Sequence, residues 1–144
     1  MEEYEIGKRL HDILRLFHSR VNERLEKKGY SKTEFLIISY LKRNQDKDVT
    51  QKDLVEFSKM KAPTVSITLS NLESEGIVLR KKSTKDSRKT IVELSEKGMS
   101  ADDEIRSAFA EVNQLMLNEF NDEEIALFSS FLSRMSDALE VRDV

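Results

Sequence analysis

At Gly76 the spacing of apolar residues changes. Before it, Val65, Leu69 and Leu72 recur at helical steps; after it come two short stretches, Ile77–Arg80 and Thr90–Leu94, with the two-residue period of strands. Arg80–Lys89 holds six basic residues against one acid, Asp86. Two short apolar stretches closing on a polar, basic connection over residues 81–89 read as a β-hairpin with a charged tip. Upstream, Thr50 with Asp53 suggests a cap opening a short helix with Leu54 and Phe57 inward. A break at 58–61 follows, and Pro63 then falls in the first turn of a helix that ends at Gly76. Two short helices joined by a tight turn form a helix-turn-helix, and a basic hairpin directly after one is a wing.

The flanks are helical. Ile6, Leu10, Ile13, Leu14, Phe17, Val21 and Leu25 make one stripe that ends at Gly29. Ser31 with Glu34 forms a capping box before Phe35, Ile38 and Leu41. Ser95 with Gly98 opens a long helix carrying Ile105, Phe109, Val112, Leu115, Met116 and Phe120. Asn121 followed by three acids, Asp122–Glu124, is a further helix start, and Ile125, Phe128, Phe131, Leu132, Met135 and Leu139 mark the last helix. Four glycines and one proline in 144 residues leave room only for short connections. The terminal helices carry more apolar residues than one thin layer can cover, and a second copy related by twofold symmetry would bury them. The expected fold is therefore mainly α with a small β-hairpin wing (α+β). One domain, 1–144, contains a winged helix-turn-helix at 31–98, flanked by a helical dimerisation part at 1–30 and 99–144.

Composition removes several function classes. Cysteine is absent, which excludes disulfides, thiolate metal sites and thiol nucleophiles. His11 and His18 are the only histidines, seven apart on one helix face with no third ligand by spacing, so neither a metal nor a cofactor is expected. The Asp102–Glu104 and Asp122–Glu124 runs read as helix starts. There is no phosphate-cradling glycine loop, and an enzyme is not expected. No apolar run is long enough to span a membrane, and the acidic start Met1–Tyr4 is unlike a signal peptide, so a soluble, cytoplasmic protein is expected. The net charge of −3 hides an asymmetry: residues 1–48 carry +2, residues 49–98 carry +3 and residues 99–144 carry −8. The basic segment is a local footprint suited to nucleic acid, which an acidic whole does not exclude.

Three motifs, in order, sharpen this. Leu72-Glu-Ser-Glu-Gly-Ile-Val78 is similar to "LexxGLV", Asp86-Ser87-Arg88 to "DxR", and Leu94-Ser-Glu-Lys-Gly98 to "LTxxG". Together they resemble the MarR family of winged helix-turn-helix transcription regulators, and the match covers nearly the whole chain. Ser95 stands for the usual threonine and Ile77 for the usual leucine. The resemblance implies a ligand-responsive repressor that binds a pseudo-palindromic operator as an obligate homodimer built from the terminal helices. It also implies that the arginine at position 88 enters the minor groove and that Asp86 holds that arginine or the wing. Many relatives have a ligand cleft between the dimer and DNA-binding parts, which His18 and Tyr40 are candidates to line for a small-molecule effector.

Helical geometry places Val65, Leu69 and Leu72 inward and Pro63, Ile67, Ser70 and Ser74 outward, flanked by Ser66 and Asn71. Candidate base-reading residues are Lys61, Pro63, Thr64, Ser66, Ile67, Ser70 and Asn71; candidate wing contacts are Lys82, Lys85, Asp86, Arg88 and Lys89. An outward Ile67 has two explanations, contact with a thymine methyl group or packing on the neighbouring helix. The alternative to a DNA-binding regulator is a winged helix whose wing and recognition helix face a protein without DNA binding, and the basic wing argues against it.

Overall fold

The computed structural model describes residues 5–140, so the acidic start Met1–Tyr4 and residues 141–144 lie outside the described residues. The order is α1 (Glu5–Lys27), α2 (Lys32–Arg43), α3 (Gln51–Ser58), α4 (Ala62–Ser74), β1 (Val78–Lys82), β2 (Thr90–Leu94), α5 (Glu96–Leu117) and α6 (Asp122–Glu140). This is the mainly helical winged architecture that the periodicity predicts. The expected capping box at Ser31 and the expected cap at Thr50 both form, the second also as a full capping box: Ser31 Oγ accepts the Glu34 N–H and Thr50 Oγ1 accepts the Asp53 N–H, with each carboxylate returning to its cap's N–H. Among the described residues no helix is long and apolar enough to cross a membrane.

The core lies where α2, α4, the hairpin and α5 meet. Ile38, Leu54, Val65, Leu69, Leu72 and Val78 are wholly buried. The hairpin is antiparallel, with Val78 opposite Leu94 and Lys82 opposite Thr90. The Val92 N–H donates to the Val49 carbonyl at 2.8 Å, which ties the hairpin to the segment entering α3.

Two of the sequence motifs are halves of one joint. Gly76 ends α4 at φ +76°, and the N–H groups of Gly76 and Ile77 reach back to the carbonyls of Glu73 (3.0 Å) and Leu72 (2.9 Å). This is a Schellman cap, with Ile77 and Leu72 both buried beside it. Ser95 caps α5 by accepting the Gly98 N–H at 3.0 Å, while its own N–H donates to the Ile77 carbonyl at 3.0 Å. The Ser95 hydroxyl lies between the carbonyls of Gly76 and Ile77. Lys97 Nζ donates to the Glu75 carbonyl at 2.7 Å. Serine supplies the hydroxyl this joint needs as well as threonine would.

Several boundaries and environments differ from the sequence expectations. β1 runs from Val78 to Lys82, not from Ile77 to Arg80, because Ile77 is used in the cap and Lys81 and Lys82 go on pairing with Ile91 and Thr90. The connection is therefore 83–89. The helix-turn-helix break is 59–61: Ser58 stays helical and Lys59 turns the chain at φ +58°. Phe57 is not inward. It is 39% exposed, stacked on Tyr40 with ring centroids 4.4 Å apart and covered by the Arg43 guanidinium. Asp102–Glu104 is not a helix start, because α5 begins at Glu96. Asp102 is buried beside Arg106 Nε at 3.0 Å, and Glu104 accepts the Tyr30 hydroxyl at 3.0 Å. By contrast, Asn121 does cap α6 with Glu124.

The terminal helices are incompletely covered. In α1 only Val21 and Leu25 are buried, and α6 buries no residue at all. Ile13, Leu14, Leu115, Phe120, Phe128 and Phe131 are all at least 43% exposed. Such an apolar expanse on one chain marks an interaction surface.

Gly98 yields a prediction. A Cβ there would run into the Ile77 carbonyl oxygen and lie 2.9 Å from Leu94 Cδ2. In an open helix, Gly→Ala gains about 1 kcal/mol of propensity. Here the clash is with a backbone carbonyl already engaged by Ser95, and overpacking of this kind costs about 1–3 kcal/mol or more. Gly98→Ala is expected to lower the melting temperature by several degrees; an unchanged or raised melting temperature contradicts the joint described.

Candidate nucleic-acid interface

Helix α4 presents a face of mixed chemistry. Its buried side is Val65, Thr68, Leu69 and Leu72; Thr68, absent from the sequence expectation, is tolerated there because its hydroxyl donates to the Thr64 carbonyl at 2.8 Å. On the other side Lys61, Pro63, Thr64, Ile67, Ser70 and Asn71 are exposed and Ser66 is half-buried. Ile67 is 64% exposed, so the packing explanation for it fails. Lys61 precedes the helix without a side-chain cap, and Pro63 occupies the first turn, where its missing N–H costs nothing. The first turn therefore keeps open N–H groups beside a lysine, a setting that favours anions.

The wing is held against the helix-turn-helix at its base. Arg80 Nε lies 3.2 Å from Glu73 Oε2 on α4, and its Nη1 donates to Gln51 Oε1 on α3 at 3.3 Å. One side chain thus joins both helices to β1. Lys81 pairs with Glu93 at 3.0 Å and Lys82 Nζ donates to Thr90 Oγ1 at 3.4 Å, both across the strand pair. Lys85 and Lys89 line an open groove between the wing and α3, together with Asp48, Gln51 and Lys52.

At the tip, Asp86 and Arg88 form a unit. Asp86 Oδ1 accepts the Arg88 N–H at 3.0 Å and its Nε–H at 3.2 Å, and Asp86 Oδ2 accepts from Nη2 at 3.4 Å. The Arg88 side chain nevertheless remains 90% exposed. Side-chain and then backbone hydrogen bonds from Arg88 hold the Asp86 carboxyl below its ordinary pKa, so it keeps its charge into mildly acidic solution.

The candidate ligand residues are not brought together within one chain. His18 lines an open groove along α1 with His11, Leu14, Arg15 and Asn22, and Tyr40 is absent from that lining. Tyr40 stacks instead on Phe57. No group of three His, Cys, Asp or Glu residues suited to a metal occurs among the described residues.

Arg80, Glu73, Gln51, Asp48 and Ser83 support this surface without having been singled out from the sequence. Arg80 and Ser83 lie in the basic segment, but their partners are on other elements, at separations no periodicity encodes.

Comparison with known proteins agrees with this geometry. A family model described as Transcriptional regulator SarA/Rot matches residues 20–105. The uncharacterized HTH-type transcriptional regulator YwoH of Bacillus subtilis (strain 168) is 29% identical over 115 residues, covering 80% of this chain and 82% of that protein. The crystal structure of MepR, a transcription regulator of the Staphylococcus aureus multidrug efflux pump MepA, superposes with a TM-score of 0.81 at 22% identity, covering 93% of this chain and 98% of that one. A mutant of S. aureus MepR bound to an oligodeoxyribonucleotide gives 0.71 at 24% identity, covering 97% and 100%. The winged helix-turn-helix expected from the three motifs is thus the fold found.

The exposure of Ile67 generates a prediction independent of any ligand. Ile67→Ala should change stability by no more than about 0.5 kcal/mol, as at other exposed positions. Leu69→Ala, two residues on and wholly buried, should cost about 2–5 kcal/mol. Thermal melts of the two variants side by side check this, and equal losses would overturn the assignment of faces.

Proposed function

The chain belongs to the transcriptional regulator SarA/Rot family, and we propose that it acts as a homodimer gripping a pseudo-palindromic DNA operator, with α4 in the major groove and the wing in the adjacent minor groove. The observation that carries this is the pairing of an exposed, uncapped α4 face with a fully presented Arg88 that Asp86 holds in place. Lys61, Thr64, Ser66, Ser70 and Asn71 offer charge and small polar groups to phosphates and base edges, beside Pro63. Ile67 suits the C5-methyl group of thymine. Lys82, Lys85 and Lys89 contribute charge along the backbone, and Arg88 matches the narrow groove's negative potential. A MepR mutant, a neighbour in fold, is bound to an oligodeoxyribonucleotide, which supports DNA as the partner.

Residues 31–98 form the DNA-binding part, and 1–30 with 99–144 the dimerisation part. The exposed stripes of α1, α5 and α6 support this division, since a second copy covers them at no cost in new surface. Twofold symmetry then places two α4 helices about one helical turn of DNA apart. A cytoplasmic repressor released by a small ligand fits this architecture. His18, on the open groove along α1, and Tyr40, stacked on Phe57, are the first positions at which to seek that ligand. With no cysteine in the chain, release by direct thiol oxidation is excluded.

Duplexes selected from random DNA by the purified protein supply the operator for two tests. Arg88→Ala should weaken binding by about 1–3 kcal/mol at fixed salt with the melting temperature unchanged, and Lys85→Ala should act mainly by lowering the salt slope. Ile67→Ala should reduce the preference for T at one position per half-site by about 1 kcal/mol. If Arg88→Ala binds as tightly as the parent, the wing is not a DNA contact; if nothing is selected and no mobility shift occurs at moderate salt, the protein-binding alternative takes its place.

Sedimentation tests the assembly. The full-length chain should be dimeric at micromolar concentration, and a chain ending at Phe120 should be monomeric or aggregate. A well-folded full-length monomer would count against the homodimer.

A further inference from the structure

The wing tip is wired to the body of the protein through one small side chain. Ser83 opens the 83–89 connection, yet it is only 5% exposed. Its hydroxyl donates to Asp48 Oδ2 at 2.5 Å and accepts the N–H groups of Lys85 (3.1 Å) and Asp86 (3.2 Å). The Asp86 carbonyl accepts the Lys89 N–H at 3.0 Å, and the Lys89 carbonyl accepts the Ser83 N–H at 3.0 Å, which closes the turn. The Asp86 carboxylate then takes the backbone and guanidinium N–H groups of Arg88. Asp48 is itself anchored: the next residue, Val49, is buried and accepts the Val92 N–H at 2.8 Å. Hydrogen bonds therefore run without a gap from the α2–α3 connection through Asp48, Ser83 and Asp86 to Arg88.

We propose that Asp48 and Ser83 are positioning residues for Arg88, ordering the wing tip before DNA arrives. The proposal rests on Arg88 being the wing's DNA contact. An arginine on a free loop loses backbone and rotamer freedom when it enters a groove, and a tip ordered beforehand loses less. The part played by Asp48 also has a sign that separates it from simple electrostatics. By charge alone, a carboxylate near a polyanion opposes binding, so removing it should tighten the complex. As a positioning residue its removal should loosen the complex.

The test uses full-length protein and a duplex selected from random DNA by the parent, at fixed salt. Ser83→Ala and Asp48→Ala should each weaken binding about three- to tenfold while the melting temperature stays close to that of the parent. On an Arg88→Ala background the same substitutions should change affinity less than about twofold, because the group they position is gone. Asp48→Asn, which keeps an oxygen to accept from Ser83, should recover most of the affinity. Without DNA, amide exchange at Lys85 and Asp86 should quicken in Ser83→Ala. Tighter binding by Asp48→Ala, or a loss that persists in full on the Arg88→Ala background, overturns the proposal. If Arg88→Ala binds like the parent, the wing assignment itself falls and this proposal with it; if Arg88→Ala weakens binding and Ser83→Ala does not, only the positioning role falls.

Discussion

The end of α4 and the start of α5 meet at a contact that leaves no room for a side chain. The Ile77 carbonyl approaches Gly98 so closely that a single added carbon would collide with it, and the same carbonyl receives the Ser95 N–H. Much else depends on this joint. It fixes where α4 stops and hence which of its residues face outward. It sets the strand that leaves Gly76 against the strand that returns before Ser95, and so positions the wing. It also launches α5, the helix that carries the chain back toward α1. Two short motifs some twenty residues apart are one structure, in which Gly76 and Ile77 give their N–H groups to the Schellman cap and their carbonyls to the N-cap serine.

Around that joint the molecule divides by how completely it buries itself. The helix-turn-helix and hairpin have a dry core, with Leu54, Val65, Leu69 and Leu72 inaccessible. The last helix does not: α6 stands with its phenylalanines and leucines open. The core of the helix-turn-helix and hairpin runs on into α1 and α5 through Val21, Leu25, Ile105 and Val112, while the outer faces of α1, α5 and α6 stay open. Burial of the apolar stripes would supply the free energy of association, at about 25 cal/mol per Å2 covered.

The polar surface follows a different logic from the core. Surface ion pairs are individually weak, typically under about 1 kcal/mol, so Arg80 with Glu73 or Arg88 with Asp86 adds little to stability. Their value is geometric. Arg80 fastens β1 to α3 and α4, and Asp86 aims a guanidinium that remains almost wholly in solvent. Asp86 is already charged when DNA is absent, so Arg88 is constrained in the free protein.

The amino-acid order by itself determined the elements and their sequence in the chain. Periodicity, the Ser31, Thr50, Ser95 and Asn121 caps and the glycine at 76 are local signals, and local backbone hydrogen bonding obeys them. The outward face of α4 and the basic wing were legible for the same reason, since each lies within a few residues of chain, and the holding of Arg88 by Asp86 came from the family resemblance. What required the tertiary structure were relations between distant segments. Phe57 looked apolar and inward, but its helix is short and its ring meets Tyr40 and Arg43 at the surface. Asp102 looked like a helix-start acid, but α5 had already begun six residues earlier, and packing buries it. The bond from Ser83 to Asp48 spans 35 positions and that from Arg80 to Gln51 spans 29. No spacing rule reaches so far, because such contacts exist only once the core has brought the hairpin down beside α3.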